Sequence, residues 1–115
     1  MLVSKKFQGF AGTWRICEME LWDKEYLDME VKAFINITES GDGVFQFGLV
    51  SGDIDGKIVD YPNGKRFEFT FNGIDECDPI NGSGWLRLKT KNIIEGEFRF
   101  HMGDSSGLLA ERTKK

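Results

Sequence analysis

The sequence predicts an all-β domain: an antiparallel up-and-down barrel of about eight strands, with one short helix between strands 1 and 2. Three observations carry this. Apolar and polar residues alternate with a period of two through most of the 115 residues, the pattern of strands with one face on a core. Turn residues rich in Gly, Asn, Asp and Ser break the alternation at short intervals, as a meander needs. The composition is skewed to ten Phe and 14 Gly against two Pro, and aromatic strands punctuated by glycine favour sheet over helix. A β-sandwich is the alternative, because alternation alone does not establish closure.

The first strand falls at 12–20, opening on Gly12-Thr13-Trp14. The segment 22–30 breaks the period of two: Trp22, Tyr26 and Met29 stand at i, i+4 and i+7, one face of a helix able to plug a barrel end. Strands at 32–38 and 44–50 follow, separated by Ser40-Gly41-Asp42-Gly43, with Phe45, Phe47 and Leu49 sharing a face. A fourth strand at 53–59 leads to the turn signal Pro62-Asn63-Gly64. The fifth, 66–72, is the cleanest, with Phe67, Phe69 and Phe71 inward and Arg66, Glu68 and Thr70 outward. Residues 73–84 then form the longest loop. Strands at 85–89, 93–102 and 108–113 complete the set, the seventh placing Phe98, Phe100 and Met102 together. Gly48, Gly56 and Gly96 fall inside strands, where a barrel needs bends or bulges.

Phe45, Phe47, Phe67, Phe69, Phe71, Phe98 and Phe100 decide what kind of barrel this is. Together they remove over ~1,000 Å² of apolar surface from water, ~25 kcal/mol gross. Small eight-stranded barrels are just filled by such side chains. The expectation is a packed interior, with any pocket shallow and near one mouth.

The length suits a single domain over 1–115, its ends 1–6 and 114–115 frayed. Net charge is -4, unevenly spread: residues 18–78 carry fifteen acidic side chains against five basic ones. An acidic centre repels phosphate backbones and argues against nucleic acid as a partner. No apolar run has the length of a signal peptide or a membrane span. The expected setting is therefore cytoplasmic, without membrane contact, and Cys17 and Cys77 are read as reduced thiols rather than a disulfide.

Gly12-Thr13-Trp14 at the start and Arg112 in the last strand resemble the calycin arrangement of lipocalins, avidins and fatty-acid-binding proteins. In those barrels the G-x-W tryptophan seals one end and a C-terminal Arg packs across its ring. The resemblance implies structural roles for Trp14 and Arg112, and an Arg over an indole gains roughly 0.5–2 kcal/mol. The lid between strands 1 and 2 is similar to that of the fatty-acid-binding proteins. Ala110 stands where their Tyr-x-Arg would place its Tyr, so their lipid-carboxylate site is not implied. Over nearly its full length the chain also resembles a family of short bacterial proteins of unassigned function. That likeness runs through 12–16, 75–79, 82–85 and 100–104, and implies a shared fold without a catalytic residue to transfer.

Chemistry-bearing residues are few. Asp75, Glu76 and Asp78 form the sharpest polar cluster, and oxygen ligands suit a hard cation. The spaced D-x-D-x-D-G loop is missing, so a solvated acidic loop is the preferred reading and no metal or other cofactor is expected. His101 is the lone histidine. Alternation sets it on the face opposite the Phe set, either as a plain exposed residue or near Asp104 and the 73–84 loop as an acid–base pair. Trp22, Tyr26 and Trp85 rim a pocket beside Glu76 and His101 if helix and loop share one barrel end. The function expected from all this is a non-enzymatic module binding a small molecule or a protein. The alternatives are a small hydrolase or isomerase using His101 with Asp75, Glu76, Asp78 or Asp104, and a structural homo-oligomeric subunit.

Overall fold

Each strand pairs antiparallel with its neighbour in sequence, and the eighth returns to the first, closing the sheet into a barrel. The computed structural model describes residues 9–113; the ends expected to fray lie outside the described residues. The elements are β1 (Gly12–Met19), α1 (Lys24–Leu27), β2 (Phe34–Ile37), β3 (Asp42–Phe47), β4 (Val50–Tyr61), β5 (Gly64–Asp75), β6 (Asp78–Thr90), β7 (Ile93–Phe100) and β8 (Ser105–Arg112). Closure selects the barrel over the sandwich, and the short helix α1 lies between the first two strands as expected.

The interior is filled. Phe98 sits at its centre, ring centroids 5.0 Å from Phe45, 5.5 Å from Phe47, 5.3 Å from Phe69 and 5.2 Å from Phe71. These are the separations at which aromatic pairs attract through offset and edge-to-face contacts. Each inward Phe of β5 lies against a glycine on an adjacent strand. A Cβ would stand 2.5 Å from the Phe67 ring at Gly56, 2.6 Å from Phe69 at Gly84 and 2.7 Å from Phe71 at Gly82. Large rings thus fill space that bare backbone leaves, and β4–β6 can coil tightly around them.

Several expectations are corrected. The 73–84 segment is not a loop. β5 runs on to Asp75, β6 begins at Asp78, and only Glu76 and Cys77 turn between them. Glu76 takes φ 60, the positive value that a two-residue hairpin demands at its first central position. The alternation fades there because this hairpin passes the last β6–β7 pair, Gly82 with Phe100: residues 74–79 are exposed, and Ile80 keeps a partly buried contact with the core. Pro79, lacking an N–H, occupies the stretch of β6 without a β7 neighbour.

The helix is also shorter than expected. Asp23 caps it by accepting from the Tyr26 N–H at 3.0 Å, and Asp28 already leaves helical geometry at φ -101, ψ 15. Leu27, not Met29, is its buried residue, and Met29 is 53% exposed. Met102 leaves the Phe98–Phe100 face for the turn after β7, at φ 57 and 93% exposed.

Candidate functional site

The two ends of the barrel differ in chemistry. At the end where β1 begins, the fully buried Trp14 donates from Nε1 to the Phe10 carbonyl at 2.8 Å. Arg112 covers its ring with Cζ 4.3 Å from the centroid. Trp14 and Arg112 thus close that end.

At the opposite end Trp22 and Tyr26, just before and within α1, form an aromatic plug. Trp22 stacks on Tyr26 at 5.9 Å, tilts against Phe47 at 5.1 Å and meets the Phe100 edge at 6.2 Å. The Tyr26 hydroxyl accepts from Leu49 N–H at 3.2 Å, and Gly48 N–H donates to the Leu27 carbonyl at 2.9 Å. Gly48 has φ 58, and a Cβ there would sit 2.1 Å from the Tyr26 ring. Glycine is required at that contact on both counts. Trp22 and Tyr26 therefore serve as packing for this end.

The hairpin tip with Asp75, Glu76 and Asp78 reaches the same end, as does the β7–β8 turn holding His101 and Asp104. All five are exposed. Among the described residues their side chains form no ion pair, and no group of His, Cys, Asp and Glu is placed to hold a metal. The His101 N–H donates to the Asn81 carbonyl at 2.8 Å. Asp78 lies three residues from Asn81 along β6, ~10 Å of strand.

Trp85 does not join Trp22 and Tyr26. It points outward from β6, where Glu68 of β5 and Glu97 of β7 are its cross-strand partners. The next outward row runs Asp55, Thr70, Ser83, Arg99 across β4 to β7. Together these rows line an open groove of about 740 Å³ on the outer wall, with Gly56 and Gly84 among its lining residues. Gly56 and Gly84, which admit the Phe67 and Phe69 rings inside, also lie along the groove outside. A smaller depression of about 320 Å³ continues from Ser83 and Arg99 to His101 and Met102. Trp85 and His101 consequently belong to one outer wall, along β6 and β7.

Neighbouring groups hold this wall in place. The Arg66 guanidinium lies 4.2 Å from the Trp85 ring centre and 4.7 Å from that of Tyr61. The Tyr61 hydroxyl donates to Glu68, and this bond pushes the phenol above its usual pKa. Arg87 forks onto Glu95 and holds that carboxyl below the usual carboxylate range. Sequence reasoning found Trp85 and His101 but missed Asp55, Lys57, Thr70, Ser83 and Glu97 as partners. The outward phase of Asp55, Lys57, Thr70 and Glu97 was visible in the alternation, whereas Ser83 fell in the segment read as a loop; only strand register could show them converging.

Away from the groove, Asp42 accepts from the Thr38 and Ser40 hydroxyls, which lower its pKa, and this closes the β2–β3 turn. Cys17 and Cys77 are both free thiols. Compared with protein-family models, curated proteins and solved structures, the chain matches none.

Proposed function

We propose that this barrel is a non-enzymatic binding module that takes a small polar ligand in the outer groove of β4–β7. One observation carries the reading: the interior is occupied by aromatic rings, whereas an open groove of about 740 Å³ surrounds Trp85 outside. That volume lies within the roughly 300–1,000 Å³ of small-molecule sites. Trp85 supplies an aromatic surface, and Thr70, Ser83 and the flanking charged side chains supply polar groups on rigid strands. Support for binding over catalysis comes from His101, whose side chain has no hydrogen-bonded carboxylate among the described residues. Kinship with the calycins belongs to the same proposal, supported by the meander and by Arg112 over Trp14. Unlike their cup-shaped members, this barrel would bind on its wall.

The test is a titration of ¹⁵N-labelled protein with a library of small polar molecules. Binders are expected to move the Trp85 indole signal together with the amides of Gly56, Gly84 and Glu97. Shifts confined to Trp22, Tyr26 and the hairpin tip would overturn the placement. A catalytic turnover abolished by His101→Ala would overturn the non-enzymatic reading.

A further inference from the structure

The groove's chemistry narrows its ligand, if the reading just proposed is right that the groove is the binding site. We infer that it takes a neutral saccharide, stacked on Trp85 and held by the charged side chains around it.

The β4 side of the groove presents Asp55 and Lys57, and the β7 side presents Glu97 and Arg99. Each side therefore offers one acid and one base, and between them stand the hydroxyls of Thr70 and Ser83. An anion placed there meets three carboxylates, counting Glu68, and a cation meets Lys57 and Arg99. The indole's own attraction for a cation is already met by Arg66, 4.2 Å away and outside the groove lining. Neither sign of charge is favoured. A neutral ligand rich in hydrogen-bonding groups is.

Among the described residues Asp55, Lys57, Glu97 and Arg99 form no salt bridge, and none of their side chains appears in a hydrogen bond. Their donors and acceptors are thus not consumed by the protein. Paired carboxylate oxygens and a forked guanidinium match the spacing of adjacent hydroxyls on a sugar ring. A sugar also has a C–H face that needs an apolar partner, which the half-buried Trp85 supplies.

Dimensions set the length. The groove crosses four strands, β4 to β7, or ~14 Å at an inter-strand spacing of ~4.8 Å. A short oligosaccharide fits that span better than a single ring. The depression leading to His101 shares Ser83 and Arg99 with the groove and extends the track along β6 and β7.

The experiment titrates the intact protein with a panel of neutral trisaccharides: maltotriose, cellotriose, laminaritriose, mannotriose, xylotriose and chitotriose. Methylguanidinium and inorganic phosphate serve as charged probes. At least one trisaccharide is expected to saturate at a roughly millimolar or lower dissociation constant. Its shifts should centre on Trp85, Ser83 and Glu97. Trp85→Ala should weaken it tenfold or more, about 1.4 kcal/mol. Trp85→Tyr should retain most of the affinity, and an unchanged amide spectrum elsewhere certifies the fold of each variant. If no trisaccharide binds while a charged probe or another small molecule shifts the groove, the saccharide inference falls and the groove remains a site. If nothing shifts the groove, both fall. Saccharide binding indifferent to Trp85→Ala also overturns the inference.

Discussion

Arg112 ties the last strand to the first by lying over Trp14 while bonding the backbone that precedes it. Its Cζ is 4.3 Å from the indole centre, and its Nη1 and Nη2 donate to the carbonyls of Ala11 at 2.8 Å and Gly9 at 2.9 Å. With Nε donating to the Lys91 carbonyl at 3.3 Å, one side chain thereby covers the ring, satisfies three carbonyls and fixes the entry of β1. Arg112→Ala should cost about 2–4 kcal/mol, combining a cation–π contact with charge-assisted hydrogen bonds. Arg112→Lys should recover less than half, because an ammonium cannot reproduce the planar fork. Urea unfolding of the three proteins measures this, and a loss of under about 0.5 kcal/mol for the alanine variant would refute the closure role.

Phe98 holds the four Phe rings around it in the centre of the barrel. Phe98→Ala should destabilise by about 3–5 kcal/mol and leave an apolar void. A dry cavity of that kind should take up benzene or xenon, raising the unfolding midpoint of the variant but not of the parent. A variant as stable as the parent would mean that the core is not packed around this ring.

The two thiols should react at different rates. Cys77 is exposed at the tip of the β5–β6 hairpin, whereas Cys17 is half-buried and its Sγ donates to a Glu111 oxygen at 3.5 Å. Burial first, then the bond to Glu111 and its charge, push the Cys17 thiol upward. Thiolate is the reactive form, so Cys17 should be the slow site. With an aromatic disulfide reagent near neutral pH, Cys77→Ser should abolish a fast phase and Cys17→Ser a slow one. Glu111→Gln should quicken the slow phase; two equal fast phases in the parent would contradict the assignment.

What was legible in the sequence divides along physical lines. Phe67, Phe69 and Phe71 alternate because one face of β5 covers the core, so strand and face were both readable. Trp14 and Arg112 were paired by resemblance, and the contact is there. The 73–84 segment misled because its strands extend past the rim, where burial no longer imposes a period on the residues. Trp85 misled differently. Its outward phase followed from Leu86 being inward, but its neighbours Glu68 and Glu97 sit seventeen and twelve positions away in sequence, and only the ladder brings them beside it. A groove on a sheet wall is a property of register, which local pattern does not encode.

Glu95 gives the fold a pH dependence of definite sign. Its carboxyl accepts from Arg87, with Lys89 3.9 Å away, and its pKa lies below the ordinary carboxylate value, chiefly through the Arg87 hydrogen bond. Folding therefore favours the ionised form. The stabilisation is complete above the unfolded-state pKa of about 4.3 and is lost as pH falls through that value toward the folded-state one. Both partners are partly exposed, so solvent screening limits the effect to about 1 kcal/mol or less. Asp42 is lowered by Thr38 and Ser40 and acts in the same direction, so the parent's pH profile alone cannot isolate Glu95. The difference in unfolding free energy between the parent and Glu95→Gln does isolate it. That difference should be largest at neutral pH and shrink on acidification; a difference that grew as pH fell would show that Arg87 does not stabilise the Glu95 carboxylate.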